Sequence, residues 1–231
     1  MTKNYIQART FAIAKIASLL AAGLLCAVIN NAKAGSYAEQ TSWATQSGGY
    51  NTTVQEQVGT QLSHHGVNVL DQTALVNQGG FANHATQVQD ALQQGGHLNN
   101  LGQFTGSTQL GGVNTSHQLQ LGNQTGGTNV LTQEALSHQA GLVNSATAGS
   151  YAGQTGAFNG ASQLQINLQN GCFNGSSLEQ AINQHGLVNT AAQEQAVVQH
   201  GAVNHSVETQ VIHQNGVFNS STQLQTTYQS N

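Results

Sequence analysis

Side chains along most of this chain alternate in character with a period of two. Asn51, Asn68, Asn83, Asn99, Asn114, Asn129, Asn144, Asn159, Asn174, Asn189, Asn204 and Asn219 open twelve units. The tenth residue after each is Gln: Gln61, Gln78, Gln93, Gln109, Gln124, Gln139, Gln154, Gln169, Gln184, Gln199, Gln214 and Gln229. The fourth position is Gln in nine units and the sixth in eight, while the second is small or apolar and the eighth often so. All these offsets are even, and even offsets share one face of a β-strand. A helix would scatter them around its circumference. The pattern therefore predicts 11-residue strands whose restricted face reads Asn, small, Gln, Gln, small, Gln.

The step between units is 17, 15 and 16 residues at first and 15 from Asn99 onward. The Asn-to-Gln segment never changes length, so the variation falls in the connectors, as expected of turns between paired strands. A glycine stands three residues before the Asn in eleven units, Gly66 being one place closer in the Asn68 unit. The turn glycines are thus Gly80, Gly96, Gly111, Gly126, Gly141, Gly156, Gly171, Gly186, Gly201 and Gly216 in the later units. A fixed period of this kind is the signature of a stacked repeat. In the first six units the second residue alternates (Thr53, Leu70, Ala85, Leu101, Ser116, Leu131), as does the sixth. Like units then stack every second repeat. The expected fold is all-β, a β-solenoid of about six two-strand coils. Its inward amides are satisfied by bonding to the same amide one layer away, in ladders spaced by about 4.8 Å.

Composition sharpens this. Charged residues make up 5% of the chain, and there are 27 glycines and no proline. A soluble domain carries about 25% charge. Proline breaks β-ladders, so its absence favours continuous stacking over a disordered linker.

The first 34 residues differ in kind. Lys3, Arg9 and Lys15 precede an apolar run from Ile16 to Ile29, followed by Ala32-Lys33-Ala34. That order reads as a secretory signal peptide; the run is shorter than the roughly 20 residues a spanning helix requires. The expected organisation is a signal peptide over 1–34, a short N-terminal segment over 35–45 and the repeat region over 46–231. All four basic residues lie in the leader. The mature chain keeps eight acids and no Lys or Arg, so no nucleic-acid partner is expected. No membrane span is expected in it either. Its single thiol, Cys172, cannot form an intramolecular disulfide.

Few residues suggest chemistry. His64 and His65 are adjacent, and His185 and His200 hold equivalent turn positions, but no C-x-x-C or H-E-x-x-H motif accompanies them. The turns carry Asn where calcium-binding repeats need Asp. Glu56, Glu134, Glu179 and Glu194 fall on the outward face, dispersed. No cofactor, metal or catalytic site is expected. Glu208 is the exception: it takes an inward slot usually held by Gln, and is read as a gatekeeper that slows stacking.

The segments "QTGAFNGASQLQ" (Gln154–Gln165) and "QNGVFNSSTQLQ" (Gln214–Gln225) closely resemble the curlin repeat of bacterial curli fibre subunits. The resemblance runs from Gln46 to Gln229, although the units here are longer than the family's. It implies a secreted subunit, major or minor, that polymerises with copies of itself into extracellular amyloid fibres for adhesion and biofilm. It further implies a curli-type nucleator and outer-membrane export partners. The pattern continues through "STQLQTTYQSN" with no capping segment, which leaves a template for a further molecule. The alternative is a secreted monomeric β-solenoid that binds a surface or glycan.

Overall fold

The structure is a computed structural model that describes residues 8–10, 23–32, 36–62, 67–94 and 98–230. Every one of these except Gly49, Tyr50 and Asn51 is extended β-structure, so the described chain is all-β. There are six strands in chain order: β1 (Ala8–Thr10), β2 (Gly23–Ala32), β3 (Ser36–Gly48), β4 (Thr52–Leu62), β5 (Val67–Gln94) and β6 (Leu98–Ser230). All pairings are parallel, within one sheet that does not close on itself.

The long strands are not straight. They bend wherever a glycine takes a positive φ: at Gly80 within β5, and at Gly111, Gly126, Gly141, Gly156, Gly171, Gly186, Gly201 and Gly216 within β6. Gly48, at the end of β3, has the same geometry. Between bends the straight segments act as rungs, each paired with the rung two further along. Ser36 pairs with Asn68, and Asn68 with Asn99. Thr52 pairs with His84, and Asn83 with Asn114. The register offset is 32 residues at first, then 31, and the side-chain bonds within β6 continue it at 30. Two stacks result. One holds the rungs led by Ser36, Asn68, Asn99, Asn129, Asn159, Asn189 and Asn219. The other holds those led by Asn51, Asn83, Asn114, Asn144, Asn174 and Asn204.

Ser36–Gly48, read from sequence as a separate short segment through Thr45, is thus a full rung in register with residues 68–80. Its leading residue is Ser where the others have Asn. Gln40 and Gln46, at offsets four and ten, carried the signal. Most of residues 1–34, the segment expected to be a signal peptide, lies outside the described residues. Its two described pieces pair on the first rungs, β1 with β3 and β2 with β4.

Burial follows parity. In β4 the alternation runs from buried Asn51 and Thr53 to buried Gln61, with outward residues between. The core has two parts, one at each pair of facing strand ends. The larger gathers Leu70, Leu101, Leu131, Ile182 and Ile212 with small partners, and the smaller holds Ala44, Val76 and Ala85. Here the broken alternation of the later units finds its reason. In the first stack the second position is Leu70, Leu101 and Leu131, facing Gly59, Ala91, Gly122 and Ala152 of the second. Further on the sizes exchange, and Ala161 and Ala191 face Ile182 and Ile212. A Cβ on Gly59 would strike Leu70, and one on Gly122 would strike Leu101. Volume is held constant across the gap while the bulky residue changes sides, as close packing requires.

Candidate functional site: amide ladders and exposed edges

The leading Asn and the tenth-position Gln form continuous hydrogen-bonded ladders, whereas in the second stack the fourth- and sixth-position Gln ladders are interrupted beyond Gln118 and Gln120. In one, Gln61 Nε2 donates to Gln93 Oε1 at 2.8 Å, Gln93 to Gln124 at 2.9 Å, Gln124 to Gln154 at 2.9 Å, Gln154 to Gln184 at 3.0 Å and Gln184 to Gln214 at 2.9 Å. In the other stack Gln46, Gln78, Gln109, Gln139, Gln169, Gln199 and Gln229 are linked in the same way at 2.7–2.9 Å. Each of these Gln has a second N–H to place, and in all but Gln46, which bonds Thr53 Oγ1, it goes to a backbone carbonyl on the facing strand. Gln61 bonds Tyr37 O at 2.9 Å, Gln124 bonds Asn100 O at 3.0 Å, and Gln199 bonds Gly175 O at 3.0 Å. One side chain therefore holds its own stack together and ties it to the other. A buried amide left unbonded would cost about 1–3 kcal/mol, and the double use explains why this position never varies.

The Asn ladders are built differently. Asn114 Nδ2 donates to Asn83 Oδ1 at 3.0 Å and also to Leu110 O, four residues back, at 3.2 Å. That carbonyl lies just before the positive-φ glycine, so the shorter amide pins its own bend. Asn51, Asn83, Asn129 and Asn204 do the same. In the irregular Asn68 unit, whose glycine comes one place closer, Asn68 Nδ2 is buried without a partner. The two kinds of ladder also run in opposite senses. Where one inward Gln bonds another it donates to the Gln of a later rung, as Gln154 does to Gln184, whereas Asn donates to the Asn of an earlier one: Asn99 to Asn68, Asn144 to Asn114, Asn159 to Asn129, Asn174 to Asn144, Asn189 to Asn159 and Asn219 to Asn189; Gln195 Nε2, opposite Gln225, is buried without a partner.

Glycine at the bends is fixed twice over. At Gly156 φ is +141°, and a Cβ would run into the carbonyl oxygen of Gly186 in the next rung; Gly141 stands likewise against Gly171. Gly96 lies outside the described residues.

At the final rungs the pattern changes. Asn219, Gln223 and Gln229 are only half-buried, whereas their counterparts in the rung led by Asn99 are buried. At the opposite edge Gln57 Oε1 and Gln61 Oε1 are buried with no hydrogen-bond partner. Glu208 is 2% exposed, and neither carboxyl oxygen has a partner.

The remaining candidates do not converge. Among the described residues no three His, Cys, Asp or Glu side chains gather as a metal site, and no helix is long and apolar enough to cross a membrane. His64 and His65 lie outside the described residues. His84 and His117 meet edge to face on the outward side, 5.6 Å between ring centroids. Burial, and then the neighbouring His84, hold His117 below the usual imidazole pKa. Burial, and then Glu39, push Asp71 above the usual carboxylate value. Cys172 is a free, partly exposed thiol. An outward hollow of about 660 Å³ lies along the first stack beside Trp43, Leu75, Phe104, Leu136 and Leu168. Sequence reading missed it, because it forms where Gly106 interrupts an outward apolar row.

Comparison with known proteins found no matching family model, no matching curated protein and no matching solved structure.

Proposed function

We propose that the chain is a secreted structural subunit, cleaved after Ala34, whose two stacks form a β-solenoid of about six two-strand coils. Copies stack end to end into curli-like extracellular amyloid fibres serving cell adhesion and biofilm matrix. The observation that carries the reading is the pair of edges. The Asn ladders and the tenth-position Gln ladders run through the whole stack; at one edge Gln57 and Gln61 leave buried unpartnered oxygens, and at the other Asn219 and Gln229 are half-buried. An exposed parallel edge with matched side-chain ladders templates further strands. The resemblance to the curlin repeat supports the same reading, and brings with it a nucleating partner and an outer-membrane export partner. No catalytic step, cofactor or nucleic acid enters the proposal.

The outward hollow beside Trp43 favours the second reading, a monomer that holds a glycan or surface against an aromatic ring. One experiment separates the two. The chain from Gly35 to Asn231 is released from denaturant and followed by thioflavin fluorescence, with fibre diffraction of the product. Seeded growth and reflections near 4.7 and 10 Å are expected. A β-rich monomer that stays soluble overturns the fibre reading.

A further inference from the structure

Resting on that fibre reading, we infer that successive copies join with a half-turn about the stack axis. The rung led by Asn219 of one copy receives the rung led by Asn51 of the next, although the two belong to different stacks within a single chain.

The argument is position by position. The inward residues of the last rung are Asn219, Ser221, Gln223, Gln225, Thr227 and Gln229. Those of the Asn51 rung are Asn51, Thr53, Gln55, Gln57, Gly59 and Gln61. Amide meets amide at four of these positions and hydroxyl meets hydroxyl at the second. The Asn ladder would continue as well. The bend ahead of each rung also matches. Gly216 is the positive-φ glycine whose would-be Cβ meets no further rung, and the glycine at the same offset from Asn51 is Gly48, also at positive φ.

The bonding senses agree. Gln side chains donate toward later rungs, so Gln225 and Gln229 present N–H groups to Gln57 Oε1 and Gln61 Oε1, the buried acceptors that lack a donor. Asn side chains donate toward earlier rungs, so Asn51 supplies an N–H to Asn219 Oδ1. In the structure β2 covers this edge, with Val28 and Ala32 opposite Gln57 and Gln61, and neither residue carries an amide for those oxygens. The join therefore requires that the leader be gone.

The half-turn is also what lets both stacks meet at once. With the Asn219 rung on the Asn51 rung, the Asn204 rung lands on Ser36–Gly48. Gln214 then faces Gln46 and Ile212 faces Ala44, while Glu208 faces Gln40, whose Nε2 already donates to Gln72, so the join sets acceptor against acceptor at this one position. Without the half-turn, Asn219 would lie over Ser36 and Gln225 over Ser42. The Asn204 and Asn51 rungs would then stand two spacings apart, with an unfilled row between them. Two facing rung edges would be left without strand partners.

Outward residues report the choice. Thr226 and Val58 both stand seven residues after the leading position of their rungs, as does Trp43 in β3. Paired rungs place such Cα atoms about 4.8 Å apart, inside the range a disulfide spans. The chain from Gly35 keeps every rung of the two stacks, from Ser36–Gly48 onward, and loses only the β1 and β2 pairings. In that chain, with Cys172→Ser, fibres of Thr226→Cys/Val58→Cys are oxidised and run on a non-reducing gel beside Thr226→Cys/Trp43→Cys. Thr222→Cys with Val54→Cys or with Glu39→Cys repeats the test at the other end of the same rungs, in case one variant fails to fold. Covalent multimers from the Val58 and Val54 pairs, and their loss in the Trp43 and Glu39 pairs, are expected. Multimers from the Trp43 and Glu39 pairs, or fibres that cross-link with neither set, overturn the half-turn while leaving the fibre reading intact. Absence of fibres from the parent chain overturns the fibre reading itself.

Discussion

At the residue scale, one amide does three jobs. Gln124 accepts from Gln93, donates to Gln154 and donates to Asn100 O. Gln124→Ala strands a donor and an acceptor inside the stack, and each costs about 1–3 kcal/mol. Gln229 sits half-exposed at the edge, where water can replace its partners. Denaturation of the two variants should therefore show a loss of about 2–4 kcal/mol for Gln124→Ala and little for Gln229→Ala. Equal losses would mean the ladder is not what holds the rungs. The tenth-position Gln was plain in the sequence, because a residue with several partners tolerates no substitute. The sense of donation was not, since an amide ladder can be written either way and only the geometry of the bends selects one. Glu208 was legible as an intruder, but its lack of any partner became visible only with Leu178 above it in the same stack. Glu208→Gln should shorten the lag of assembly seen by thioflavin fluorescence, and an unchanged lag would sink the gatekeeper reading.

At the scale of the element, turn and strand obey different rules. Gly156→Ala meets both a positive φ and the Gly186 carbonyl, so it should destabilise the chain by more than about 1–3 kcal/mol. Gly102→Ala meets nothing within 4 Å and has ordinary φ, so it should be neutral or slightly stabilising. Thermal melts of the two variants test this directly. Across the core, Gly122→Ala overpacks against Leu101 and should cost about 1–3 kcal/mol. Adding Leu101→Ala should recover part of that loss, and a strictly additive double mutant would show that the two sides do not share volume. This exchange of bulk between stacks explains why alternation along the sequence fades after the sixth unit. A period read along one chain cannot register a sum conserved between two rungs. The strand-turn periodicity itself was legible throughout, because parity survives any choice of side-chain size. Ser36–Gly48 was the exception, a rung without the Asn that marks the others.

For the whole molecule, charge is so sparse that a few groups set the pH response. His117 is held below its ordinary pKa, so its contribution to stability is present above that value and lost as pH falls through the lowered one. Asp71 is raised, so its contribution is full below the ordinary carboxylate value and lost as pH rises through the raised one. Stability should therefore dip on mild acidification and partly recover at lower pH. His117→Gln should remove the first slope and Asp71→Asn the second, as read from melting temperature against pH. Unchanged slopes would assign them to other groups.

The register offsets carry a consequence for how such a chain can change over generations. They run from 32 to 31 to 30 residues without disturbing a single pairing within a rung, because the surplus residues fall between β4 and β5 and between β5 and β6. One codon gained or lost in a connector leaves every later side chain facing as before. The same event inside a rung would turn all following residues of that rung inside out, exposing Gln and Leu and burying Glu. The gene is thus free to drift in length only at the bends, and peptides inserted there would be carried at regular intervals along whatever the chain builds.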